Sequence, residues 1–189
     1  MPHTPTPPND PPHDARLDRA TFLKMAALTE GTLLLIGLVI AFSTGLNISA
    51  EFDAGPQSVI LGLLAAVPML LFFALAMRTR WEPLRRIREL LFELLGHALA
   101  RCTTWELFSM AMLAGLAEEF FFRGVLQPLL ARWMDVWAAI GLTGLLFSLL
   151  HALTPAYAVV ATLIGIYLGC LAQAGSCGGA PGLVAPIIA

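Results

Sequence analysis

Five stretches of this chain are apolar for close to the length a helix needs to cross a bilayer, and that succession limits the fold more than any other feature. A spanning helix takes about 20 mostly apolar residues, because each adds about 1.5 Å across a hydrocarbon core of about 30 Å. Inside that core every backbone N–H and C=O must find its partner within the protein, so the spacing predicts an all-α membrane fold. The runs cover about Ala26 to Ile48, with Glu30 near one end, and Val59 to Met77, interrupted only by Pro68. A third begins near Trp105, the fourth covers about Val136 to Leu153, and the fifth about Tyr157 to Ala174. A further run starts near Leu183 and is still short at Ala189, so the expectation is five full spans plus an incomplete final one.

The first twenty residues are rich in proline and mixed charge, and they lack the apolar residues that would offset the cost of ordering. Residues 1–20, with His3 and His13, are therefore expected to form a disordered tail, and residues 21–189 one membrane domain. The tail is not a secretory signal peptide, because the apolar run that follows it is long enough to remain in the membrane.

Between the second and third runs, Leu84, Ile87, Leu91, Leu94 and Leu95 fall at helical spacing opposite arginines, the pattern of an amphipathic helix on the membrane surface. His97 lies on that helix and reads as an interfacial residue. Arg78, Arg80, Arg85, Arg86, Arg88 and Arg101 flank it, whereas the first interspan loop carries Glu51 and Asp53 and no Lys or Arg. The positive-inside rule puts the surface helix in the cytoplasm, and Arg16, Arg19 and Lys24 put the N-terminus on the same side. Arg123 and Arg132 oppose this bias weakly. The expected setting is the plasma (inner) membrane of a bacterium, with membrane lipids as partners. With 13% charged residues and a net charge of −2, the chain has no basic field to attract nucleic acid. Cys102, Cys170 and Cys177 match neither a disulfide framework nor a metal motif and read as free thiols.

The third run is the exceptional one, because it places Glu118, Glu119 and Arg123 in apolar surroundings. Each charge at the centre of a spanning helix costs about 2.5 to 3.5 kcal/mol on insertion scales. Glu119 and Arg123 are four apart, so they share a helix face and can pair. Glu118 is left without a local partner. In the fourth run Gly141, Gly144, Ser148 and His151 lie roughly along one face, and in the third Ala111, Ala114 and Gly115 offer another small-residue face, so the two are expected to pack together. If the chain reverses near Asp135, Glu118 stands seventeen positions before the turn and His151 sixteen after it. An antiparallel hairpin then levels them about 25 Å from the turn, toward the cytoplasmic side, provided the third helix continues through Pro128 to about Arg132 with a tilt or kink.

A carboxylate and an imidazole at one depth in a dry site suit hydrolysis. The carboxylate would serve as general base on a water, the neutral imidazole would hold a metal that makes that water acidic, and the product would be a hydroxide aimed at a peptide carbonyl. Two other readings fit the same residues: a structural Glu–Arg pair with a helix-bridging histidine, and an ion or proton path. Outside Glu30 and the Glu118 cluster the spans supply almost no further ionisable groups, which weighs against transport.

Glu118-Glu119-Phe120-Phe121-Phe122-Arg123 matches EExxxR, and Phe147-Ser148-Leu149-Leu150-His151 matches FxxxH at a fitting distance downstream. Coupled on successive spans after a basic amphipathic segment, the two motifs resemble the CPBP family of CAAX proteases and bacteriocin-processing enzymes, over about residues 82–189. The resemblance implies an intramembrane metal-dependent endopeptidase with a cytosol-facing cavity. By it, Glu118 would activate the water, Glu119 would support the site and pair with Arg123, His151 would bind the metal with Glu118 as a second candidate ligand, and Phe147 would line the cavity. The implied metal is Zn2+. Family members carry a third motif on a further span, a histidine followed four residues later by Asn or Asp. Here the sequence stops at GLVAPIIA, so a truncated chain is expected, with an incomplete site. The alternative is a non-catalytic membrane scaffold or immunity-type protein binding a peptide or partner helix in the same cavity, sensitive to enlargement of Gly141 or Gly144.

Overall fold

The computed structural model describes residues 17–47, 52, 55–174 and 182–189. Most of the N-terminal tail with His3 and His13, the loop carboxylates Glu51 and Asp53, and Cys177 lie outside these residues. Every regular element among the described residues is helical. The helices are α1 (Arg19–Thr44), α2 (Pro56–Arg78), α3 (Glu82–Leu99), α4 (Thr104–Glu119), α5 (Gln127–Ala131), α6 (Val136–Leu150), α7 (Pro155–Ala174) and α8 (Val184–Ile188), with a π-helical segment, Phe120–Leu126, between α4 and α5.

Three helices, α1, α2 and α7, are long and apolar enough to cross a membrane. The shorter apolar α6 has 15 residues and reaches about 22 Å, ending at Leu150 and not at Leu153. Helix α1 starts two residues inside the expected disordered tail. The Asp18 carboxylate accepts a hydrogen bond from the Thr21 N–H at 2.7 Å and so caps the first turn. Hydrogen bonding to Thr21, first by its side chain and then by its N–H, holds the Asp18 carboxyl below its ordinary range. Gly45 ends the helix at φ +66°, a left-handed backbone that glycine adopts without a Cβ penalty.

Helix α3 is amphipathic as expected, with Ile87 and Ala98 buried and Arg85 and Arg86 paired to Glu82 on the outer side. These guanidinium partners hold the Glu82 carboxyl below the usual carboxylate range. Arg88 donates to the Met77 carbonyl at 2.7 Å, which satisfies an orphan acceptor at the end of α2 and fixes α3 against it.

At the start of α4, Thr103 and Glu106 form a capping box. Arg19 donates to Glu106 through Nε at 3.0 Å, so α1 and α4 begin at the same level. Further along, Gly37 faces the rings of Phe120 and Phe121, so the two helices run parallel. Their contact continues into the π-helical segment. Pro128 does not stop the long helix. The widened turns precede it, and Gln127 donates its N–H to the Phe122 carbonyl, five residues back. The expected distortion therefore takes the form of a π-helical stretch ahead of the proline.

Helices α6 and α7 form the most extensive pairing, an antiparallel hairpin closed by residues 151–154. This corrects the expected pairing of the α4 and α6 small-residue faces. A Cβ on Gly165 would stand 2.8 Å from the Gly144 Cα, and one on Gly144 would stand 2.9 Å from the Ile166 side chain. A Cβ on Gly115 or Gly141 would meet no other part of the protein within 4 Å. Shape decides the pairing: the glycines of α6 and α7 oppose one another, which lets the backbones meet. Gly165→Ala is accordingly expected to cost about 1 to 3 kcal/mol, because backbone must move to admit the methyl. Gly141→Ala should leave stability unchanged or raise it by up to about 1 kcal/mol, since alanine is the better helix former. Thermal unfolding of both variants in detergent checks the contrast; equal melting temperatures would remove the close approach as a determinant.

On the opposite side, Tyr167 of α7 donates its hydroxyl to the Ala65 carbonyl of α2 at 2.9 Å. The short α8 packs onto α2 at Gly62, with Leu183, Ala185 and Pro186 buried.

Candidate active site

The long helix and the α6–α7 hairpin bring the expected residues together. Glu118 lies in the last turn of α4, and His151 caps the C-terminus of α6. His151 Nε2 stands 3.4 Å from Glu118 Oε1, with the two side chains 27% and 23% exposed. The chain reverses at Asp135, whose carboxylate caps α6 by accepting from the Trp137 N–H at 2.9 Å. The near-equal spacing of Glu118 and His151 about that turn thus levels the two groups.

The imidazole is held from behind. Nδ1 is 2.9 Å from the Phe147 carbonyl oxygen, which can only accept, so Nδ1 carries a hydrogen and Nε2 is the atom turned to the carboxylate. The Phe147 ring stacks on the imidazole with centroids 4.4 Å apart and planes at 27°. Tyr157, at the start of α7, meets the other side edge-on at 6.5 Å. Phe147 therefore orients the histidine through both its carbonyl and its ring, a closer role than lining a cavity.

Glu119 and Arg123 form a separate, deeper pair. Arg123 Nη1 donates to Glu119 Oε1 at 2.7 Å, and the side chains are 0% and 5% exposed. Arg123 Nη2 donates to the Gly165 carbonyl at 2.9 Å, and the guanidinium carbon lies 4.9 Å from the Phe147 ring centroid. One turn on, Gln127 Nε2 donates to the Gly169 carbonyl at 3.2 Å. The long helix is thus bonded to α7 at two successive glycines, where the absence of side chains leaves the carbonyls within reach. Glu119 and Arg123 hold the helix that presents Glu118.

Two residues of this neighbourhood were not legible as site members. Tyr157 read only as the start of a span. Glu30 read as a charge near the end of one, yet α1 carries it into electrostatic reach of both Glu118 and His151. The signal available in the sequence was the helical recurrence of Glu30, Leu33, Leu34, Gly37 and Ala41, which marks one buried face.

His151 Nε2 and Glu118 are two donors that a zinc ion accepts, but a catalytic zinc ordinarily takes three protein ligands. Among the described residues, no group of three His, Cys, Asp or Glu side chains is arranged to hold a metal. The described residues therefore supply two of the ligands that such a site takes, His151 and Glu118.

Fold and site together define an integral membrane protein, all-helical where described, with a carboxylate–imidazole pair set on facing helices. Residues 100–188 match the family model described as Rce1-like, type II CAAX prenyl endopeptidase Rce1-like. The match includes Glu118, Glu119, Arg123, Phe147 and His151 and leaves out α1 with Glu30. Searches of curated proteins and of solved structures find no match.

Proposed function

We propose that this protein is an intramembrane endopeptidase of the CAAX-protease type. The observation that carries the reading is the 3.4 Å approach of His151 Nε2 to Glu118 Oε1, partly open to the outside, on a scaffold clamped by the buried Glu119–Arg123 pair. A water beside Glu118 gives a proton to the carboxylate as its oxygen bonds to the carbonyl carbon of a peptide. The tetrahedral adduct collapses with cleavage of the C–N bond, and the departing amine takes a proton back from the Glu118–His151 pair. His151, fixed by Phe147, shares that proton through Nε2. Glu119 and Arg123 act as positioning residues.

In this reading the long helix and α6 join α1, α2 and α7 as the fourth and fifth spans, and the N-terminus lies on the cytoplasmic face of a bacterial plasma membrane. The arginines around α3 support that orientation.

The test is cleavage of a fluorescence-quenched peptide ending in a prenylated CAAX sequence by the purified full chain. Glu118→Gln and His151→Ala should each abolish cleavage while still inserting into membranes. Normal cleavage by both variants would end the assignment. Chelation by 1,10-phenanthroline separates the two ways of activating the water: an unchanged rate leaves that role with Glu118 and His151. Complete loss, restored by added Zn2+, would transfer water activation to a metal.

A further inference from the structure

Helix α1 lies outside the matched segment, yet its buried face is pressed onto the site. Leu33 packs with the cluster of Phe122, Phe147 and Ala161, and Ala41 and Leu34 pack with Phe120 and Val125. Gly37 sits so close to Phe120 that a Cβ there would be 3.0 Å from the ring. These contacts fix the rotation of α1, because a residue three or four positions away on a helix shares the same face. Glu30 stands one turn before Leu33 and Leu34 on that face. It is within electrostatic reach of Glu118 and His151, and its Oε2 atom is buried without a hydrogen-bond partner.

The same face leads outward. A cleft of about 410 Å³ opens between α1 and α4, lined on the α1 side by Leu23, Lys24 and Ala27 and on the α4 side by Glu106, Ser109 and Met110. Leu23, Ala27, Glu30 and Leu34 recur at helical spacing, so Glu30 stands just beyond the inner end of this cleft on its α1 wall.

A peptide that reaches the catalytic pair through this cleft leaves water, and its backbone N–H groups need acceptors. A buried carboxylate oxygen with no partner is the acceptor such a substrate lacks. We propose that Glu30 is a substrate-positioning residue, whose free oxygen accepts a hydrogen bond from a backbone N–H of the peptide being cleaved. The inference rests on the endopeptidase reading and extends its site to a helix that the family match does not include.

Affinity tests it separately from catalysis. In the full chain carrying Glu118→Gln, which keeps the peptide uncut, a fluorescent prenylated CAAX peptide is titrated by anisotropy, together with copies N-methylated at one backbone nitrogen each. Adding Glu30→Leu should weaken binding about tenfold or more, as expected for a lost hydrogen bond to a charged group. Leucine suits an apolar span, so insertion should be retained, and Glu30→Gln, which keeps an acceptor oxygen, should restore part of the affinity. One N-methylated peptide should bind about tenfold more weakly than the parent when Glu30 is present and equally well when it is leucine. Unchanged affinity in Glu30→Leu, equal penalties from N-methylation in both proteins, or no binding of the parent peptide at all would overturn the proposal. Cleavage that persists in Glu118→Gln would instead overturn the base assignment, with the Glu30 comparison still readable in the anisotropy data.

Discussion

Glu118→Gln is expected to lower kcat/KM for peptide cleavage by about 10²- to 10⁴-fold, the range for loss of a positioned general base. Glutamine has the same shape but takes no proton from water at neutral pH, so the change removes chemistry and leaves packing in place. The side chain is 23% exposed, and its contact with His151 is long at 3.4 Å. A contact of that length contributes little to stability, and the melting temperature in detergent should be close to that of the parent. A variant that melts normally and cleaves at the parental rate would rule out Glu118 as the base.

Arg123→Leu is expected to behave in the opposite way, with a loss of folding stability of about 3 to 5 kcal/mol, typical for a buried ion pair deprived of one member. The guanidinium is wholly buried, donates to Glu119 and to the Gly165 carbonyl, and lies over the Phe147 ring. Its removal leaves the Glu119 carboxylate buried beside no cation, and Glu119 Oε2 already has no hydrogen-bond partner. Lysine should not rescue, because a point charge on a flexible stem does not reproduce two fixed donors. The double change Arg123→Leu with Glu119→Leu should recover much of the loss, since no isolated charge then remains. Thermal unfolding in detergent of the parent, Arg123→Leu, Glu119→Leu and the double variant forms the cycle. If Arg123→Leu melts like the parent, the pair does not hold the helix.

The contrast between these two neighbouring acids was partly readable beforehand. Glu119 and Arg123 are four apart, and that spacing alone predicts their bond. The approach of Glu118 to His151 followed from near-equal distances to the reversal at Asp135, a relation that survives any rotation of the helices about their axes. What did not follow was which faces meet. Ala111, Ala114 and Gly115 offered as good a small-residue face as Gly165 and Gly169, and local spacing carries no information about which of two such faces lies across from Gly144. The same limit hid Glu30, whose place beside the site depends on the rotation of α1 set by the contact of Gly37 with Phe120, 83 residues apart in the chain. The π-helical turns were also unforeseen: Phe120–Leu126 is apolar and aromatic, and its composition does not distinguish widened turns from ordinary ones.

Those widened turns carry a consequence for how the chain tolerates length changes. Bonds from residue i to i+5 place one more residue in a turn than an α-helix holds, and each residue of an α-helix turns the chain by about 100°. Deleting a single residue between Phe120 and Leu126 would let a widened turn close into an ordinary α-turn with little change in where Gln127 points, whereas the same deletion in plain α-helix would swing everything beyond it by about 100°. Glu118, on the near side of the deletion, would keep its heading. The widened turns act as a length buffer, taking up one residue while the carboxylate keeps its heading toward the α6 histidine and the Gln127 amide toward the α7 backbone.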